Sequence, residues 1–319
     1  MGWKSAKLVC NSETNHYFYD IVVMPIKKFL TYFVLLSLLI LSFLFFYKNQ
    51  DSSEKKETQK HNKKQQKKIP RQRYKNIVGD TTILLSKIEI SIKSSVNCKY
   101  DLLVLPGWNF NKNLWCDSSA LCELAKNKGY RLIMPEMGKS IYASQYFPET
   151  RKDWNKYPTL TWLCDTLLPY LKKEYGIFST KNNFIIGNST GARGAVLLAI
   201  KTDTVFLAGA AFSGDFDQTK MPKDPLIKGV YGSYVKFKTR WQSIDNPTEQ
   251  MKRLKTRFYF AHGIKDKIVP FSQTKTFFDT LQQYKPIHKF NSPEAGHNFI
   301  FWNNVLESTF LFFQQHLNK

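Results

Sequence analysis

The sequence predicts an α/β fold with a doubly wound, mostly parallel sheet, preceded by a transmembrane helix and a basic linker. Three observations carry this. Nineteen residues from Phe29 to Tyr47, FLTYFVLLSLLILSFLFFY, hold no charge. Residues 48–75 then carry eleven bases against three acids without apolar periodicity. Beyond about residue 80, short apolar runs that end in Gly or Pro alternate with amphipathic stretches of helix length. The implied organisation is an N-terminal flank over 1–28, a span over 29–47, a flexible linker over 48–80 and one globular domain over 81–319. A chain of 319 residues with 43% hydrophobic content has ample material for such a core.

The uncharged run is just long enough, as a helix, to cross a hydrocarbon core. A buried core helix of that composition belongs inside a domain, whereas this run is flanked by Lys27, Lys28 and a polar tract. A cleaved secretory signal fits less well, because no small-x-small cleavage site follows Phe46. Orientation stays open. Seven lysines from Lys48 to Lys67 outweigh Lys27 and Lys28, yet Met24-Pro-Ile-Lys-Lys resembles the short basic lead of a signal anchor and a second start. The expected localisation is a single-pass membrane protein with its catalytic side undetermined.

The linker is rich in Lys and Gln and lacks the apolar residues that would repay ordering it. It reads as a solvated spacer or as a strip that holds anionic lipid headgroups, each base contributing about 1 kcal/mol near such a surface. Nucleic acid is not the expected partner, since no aromatic residue interleaves the basic run before Tyr74. Five cysteines without a C-x-x-C pair or finger spacing exclude a zinc ribbon and a disulfide-dense mini-fold, and leave the pairing of Cys98, Cys116, Cys122 and Cys164 open.

In the globular part, Ile88, Ile90 and Ile92 alternate as a half-buried strand should. The runs 102–106, 131–135, 184–187, 206–214 and 258–263 are continuously apolar, which suits strands covered on both faces. Helices are expected over 118–128, 157–175, 191–201, 270–283 and 298–317. Strand and helix alternate, so the sheet is parallel and reactive groups collect at the carboxyl ends of its strands.

Gly187-Asn188-Ser189-Thr190-Gly191 directly follows one such strand and opens a helix. A sharp strand-to-helix turn exposes the serine hydroxyl above the sheet, beside helix N–H groups that favour a developing oxyanion. Ser189 is therefore the candidate nucleophile. It needs a base, and the order Ser, acid, His points to His297 in the loop before the last helix. His16, His61, His262 and His288 have plain structural readings. Asp266, in the loop after the strand 258–263, is the candidate acid that orients His297; Asp215, Asp217 and Glu294 are held in reserve. Thr190 supplies one oxyanion N–H, and Gly107 permits a turn that directs the Trp108 N–H as the second.

On these residues the stretch from about Lys99 to Leu317 resembles the esterase D and S-formylglutathione hydrolase-like branch of the α/β-hydrolases. Leu105 to Trp108 sits where that branch has its oxyanion loop, and Met134 to Tyr142 is similar to the segment after its next strand. Gly187 to Ala195 is similar to its elbow, with Ala192 in place of a glycine, and Ser213 to Asp217 to the segment that follows. His262 to Pro270 and Gly296-His297 with Trp302 are similar to its acid and histidine segments. Pro106 replaces the usual loop histidine. The resemblance implies the triad Ser189, Asp266 and His297, cleavage of small carboxylic or thiol esters, and no cofactor or metal. Residues 215–255, with Trp241 and Tyr231, are expected over the pocket, although aromatic residues in such an insert are as often local core. A prolyl-oligopeptidase-like peptidase, which shares the elbow, the His-Gly-x-x-Asp loop and the late histidine, and a silent tethered binding module are the alternatives.

Overall fold

Continuous apolar strands are stable only when both faces of a sheet are covered, and that is the arrangement found. The computed structural model describes residues 74–317 except 155–156, 243–244 and 286, together with residues 5–6, 21–22, 36–38, 40–42 and 44. Residues 73–319 make one unit and residues 1–72 another.

In the first unit β1 (Ser5–Ala6) and β2 (Ile21–Val22) pair antiparallel. Backbone at 36–38, 40–42 and 44 is helical, and Leu36, Leu38, Ile40, Leu41 and Leu44 are each more than half exposed. Most of the predicted span and the linker as far as residue 73 lie outside the described residues. Among the described residues no helix is long and apolar enough to cross a membrane.

The second unit is built on an eight-stranded sheet. Its strands are β3 (Gly79–Leu85), β4 (Ile88–Ser94), β5 (Tyr100–Leu105), β6 (Tyr130–Pro135), β7 (Asn183–Asn188), β8 (Ala208–Phe212), β9 (Arg257–Ala261) and β10 (Lys289–Asn291). They lie in the order β10-β9-β8-β7-β5-β6-β4-β3, parallel from β10 to β6, with β4 antiparallel to both its neighbours. Successive strand residues alternate between two cores. Leu103, Leu105, Ile185, Phe258 and Phe260 face one, under the helix Thr190–Thr202. Leu102, Val104, Phe184, Ile186 and Tyr259 face the other, under the C-terminal helices.

Each expected strand is present, and β3 and β10 are additions. The turn from β3 to β4 consists of Ser86 and Lys87, both at positive φ (52° and 67°), a type I′ geometry usually signalled by Asn or Gly. The helix expected over 118–128 is two short ones, Leu114–Ser118 and Leu121–Asn127, joined by a Cys116–Cys122 disulfide; Cys98 and Cys164 are free. The last helix is likewise divided at Val305, into Phe299–Asn304 and Leu306–Gln314. The aromatic residues of the 215–255 insert do not cover the pocket. Tyr231 and Trp241 are fully buried in a local core with Ile141, Trp154 and Val230, because rings of that size are better hidden than exposed at a rim.

Candidate active site

Ser189 follows β7 at φ 54°, ψ −127°, a conformation that L-residues seldom adopt, and opens the helix Thr190–Thr202. Its N–H donates to the Phe212 carbonyl of the neighbouring strand end at 2.8 Å. The flanking glycines are required by close backbone approach. A Cβ on Gly187 would lie 2.1 Å from the Gly191 carbonyl oxygen, and one on Gly191 2.2 Å from that of Leu105. Gly191→Ala is expected to lower stability by about 3 kcal/mol, read as a drop in denaturant midpoint, since neither backbone can yield.

The early loop closes over the serine. A Cβ on Gly107 would sit 3.2 Å from Ser189 Cβ, so Gly107 and the adjoining Trp108 border Ser189. Among the described residues the Trp108 N–H has no acceptor, and Thr190 begins its helix, where N–H groups lack intrahelical partners. The buried Tyr142 hydroxyl donates to the Pro106 carbonyl at 2.7 Å and its ring packs on Gly194, which ties this loop to the elbow helix. The Trp108 ring itself packs edge-on against Trp154, at 4.6 Å between centroids.

Asp266 lies in the loop after β9. Its Oδ1 accepts from the Ile268 and Val269 N–H groups at 2.8 and 2.9 Å, and its Oδ2 meets His297 Nδ1 at 2.6 Å. Burial alone would push this carboxyl up. Hydrogen bonds from His262 and His297 outweigh that and hold it well below the usual carboxylate range. The His297 loop is fastened to the acid loop by Ile264 N–H to Pro293 O and Lys265 N–H to Ala295 O, at 2.9 and 3.0 Å. The His297 ring rests edge-on against Trp302, 5.1 Å away, and the Trp302 indole N–H donates to Ser213 Oγ at 3.2 Å. No hydrogen bond joins Ser189 to His297 among the described residues; the Asp–His half of the constellation is closed and the Ser–His half is open.

The reserve acids are engaged elsewhere. Asp217 caps a short helix through Thr219 N–H at 3.0 Å, and Glu294 pairs with Lys265 at 3.0 Å. Asp215 lies 3.2 Å from Arg193, a fully buried guanidinium that also donates to the Ile141 carbonyl, Gln218 and the Asp245 carbonyl. Burial pushes the Asp215 carboxyl up to about 6, with Arg193 pulling against it. Beside Ser189 and Thr190 opens a cleft of about 50 Å³, lined among others by Ile141, Met221, Leu226, Ile268, Asp215 and Asp224.

Sequence reasoning passed over Arg193 and Tyr142, which brace this cleft, and over His262. The only signal for any of them was proximity to motif residues, because their partners come from distant segments.

A family model, that of the prolyl oligopeptidase family, matches residues 122–319. No curated protein matches the chain. Among solved structures, the fold is similar to fluorophosphonate-binding serine hydrolase F of Staphylococcus aureus (14% identity, TM-score 0.59, covering 73% of this chain and 97% of that one). It is similar also to an S-formylglutathione hydrolase of Agrobacterium tumefaciens (12%, 0.60, 77% and 99%) and to MPT51 of Mycobacterium tuberculosis (13%, 0.59, 75% and 100%).

Proposed function

Because the chain belongs to the prolyl oligopeptidase family, we propose that it is a serine hydrolase whose substrates are small carboxylic or thiol esters. The observation that carries this is Ser189 on a strained elbow, at the same sheet edge as a hydrogen-bonded His297–Asp266 pair. In this reading Ser189 Oγ attacks the ester carbonyl carbon while His297 Nε2 takes its proton, once a side-chain movement has closed the open half. Asp266 fixes the tautomer that leaves Nε2 free to accept and stabilises the imidazolium. The Thr190 and Trp108 N–H groups stabilise the oxyanion. The bond to the leaving oxygen or sulfur then breaks as His297 returns the proton to it. Water, deprotonated by the same nitrogen, cleaves the acyl-serine and restores Ser189.

Two features support esters with small groups. The cleft beside Ser189 is far smaller than sites for drug-sized ligands, and the similar S-formylglutathione hydrolase acts, by its name, on a thiol ester. The family match itself favours a second reading, a peptidase acting on prolyl bonds. A panel of p-nitrophenyl esters and a prolyl p-nitroanilide, assayed alongside fluorophosphonate labelling, separates them. Acetate and butyrate esters are expected to be cleaved at least about a hundredfold faster than the anilide, a margin of roughly 3 kcal/mol in the barrier. The reverse order favours the peptidase, and an unlabelled protein favours a silent binding module.

The reading extends to anchorage: residues 29–47 cross the bilayer and the basic linker lies against anionic headgroups. The uncharged run and its lysine flanks support it. The full chain is expected to stay in the membrane fraction after carbonate washing, and deletion of residues 29–47 to release it. A full chain recovered in the wash would count against anchorage.

A further inference from the structure

Three hydrogen-bond donors reach the buried Asp266 carboxylate, and a fourth N–H lies against it. Two are N–H groups of its own loop, on Oδ1. The third is His297 on Oδ2. The fourth is His262, the residue directly after β9, whose Nε2 lies 3.2 Å from that same Oδ2 and 3.1 Å from the Val269 carbonyl oxygen. Both side chains are wholly buried. Since Asp266 Oδ2 and Val269 O are acceptors, Nε2 must carry the proton that faces them. The other ring nitrogen, Nδ1, sits 2.7 Å from the hydroxyl of Thr274, itself buried in the helix Ser272–Tyr284 and 3.3 Å from the Gly214 carbonyl.

The four groups are not equivalent. The Ile268 and Val269 N–H groups belong to the loop that carries Asp266, so they move with it, and this loop is solvent-facing at Ile264 and Ile268. His297 is the group to be positioned. Among the described residues His262 is the side chain from the end of β9 that touches the carboxylate: its Nε2–H bonds the Val269 carbonyl and lies 3.2 Å from the oxygen that meets the base. A core histidine with a purely structural role needs two acceptors or donors of any kind; it does not need to share the base's own oxygen.

We propose that His262 is a positioning residue for the reaction: by anchoring Asp266 Oδ2 to the end of β9 it fixes the angle at which the carboxylate meets His297, and thereby the rate of proton transfer from Ser189. The proposal rests on the serine-hydrolase reading of this site. It also predicts that what His262 contributes is one N–H at a fixed reach, which a glutamine side chain can imitate and a phenylalanine cannot.

The test uses the full chain, with p-nitrophenyl acetate as substrate, fluorophosphonate labelling as a check on Ser189, and the deshielded imidazole N–H proton of the Asp266–His297 bond followed by NMR. His262→Phe is expected to lower kcat about 10- to 100-fold with KM changed less than about twofold, the scale seen when groups that orient a reacting side chain are removed, and to broaden or erase the deshielded resonance. His262→Gln should keep the resonance and hold kcat within about fivefold of the parent, the donor being retained. A folded His262→Phe with kcat within about threefold of the parent and an unchanged resonance overturns the proposal; so does a folded His262→Gln as impaired as the phenylalanine variant. If His262→Phe does not fold, His262→Gln decides alone by the same threshold. A parent protein that takes up no fluorophosphonate strikes the hydrolase reading itself, whereas a labelled parent with an indifferent His262→Phe strikes only this inference.

Discussion

Ser189→Ala is expected to lower kcat for a short-chain ester by about 10⁵- to 10⁶-fold and to abolish fluorophosphonate labelling, with the folded state barely affected. The magnitude follows from removing the only atom that can form the acyl intermediate; what remains is the modest rate that oxyanion donors and substrate binding supply to water attack. Stability stays near the parent value because alanine, like serine, has a Cβ at φ 54° and meets the same strain. Melting and kinetics measured on one preparation separate a chemical loss from unfolding. An alanine variant that keeps more than about one per cent of the activity places the nucleophile elsewhere.

The second large effect concerns the acid. Asp266→Asn preserves shape but presents an amide N–H toward His297 Nδ1, which forces the proton onto Nε2 and leaves no acceptor for the serine proton. A loss of about 10⁴-fold in kcat is expected, with little change in KM. The same variant alters stability against pH. Asp266 is held below its unfolded pKa, so the carboxylate's contribution is present in full above the ordinary aspartate range, near pH 4, and is lost as pH falls through and below it. Denaturation midpoints taken from pH 6 down to pH 3 should fall less steeply for Asp266→Asn than for the parent. Parallel curves would mean that the carboxylate is no better held in the folded state than in the unfolded one.

The sheet and the strand-to-helix elbow at Ser189 were readable because each depends on local chemistry. Buried parallel strands announce themselves as unbroken apolar runs, and an elbow requires Gly187 and Gly191 where backbones touch. That Asp266, rather than Asp215 or Asp217, meets His297 agrees with what its loop suggested. What stayed hidden depends on partners far along the chain. His262 looked like an ordinary strand-end histidine until its ring was seen to share an oxygen with His297. Arg193 is a helix residue in sequence and a buried tie between three segments in space. The β3–β4 hairpin escaped because Ser86 and Lys87 adopt positive φ without the residues that usually advertise it. The insert does line the cleft, through Met221, Leu226 and Ile227, but Tyr231 and Trp241 took the local-core alternative, because an aromatic cluster in an insert looks the same whether it covers a ligand or its own small core.

The position of β10 and the two terminal helices has a consequence for biosynthesis. Chains fold from the amino end as they are made, and the strands that hold Ser189 and Asp266 precede β10, whose following loop holds His297. A nascent chain therefore displays its alcohol and its carboxylate before the imidazole that binds the carboxylate has been translated. A chain truncated before residue 297 lacks the base of the proposed mechanism, and it lacks too the helices that cover one face of the sheet.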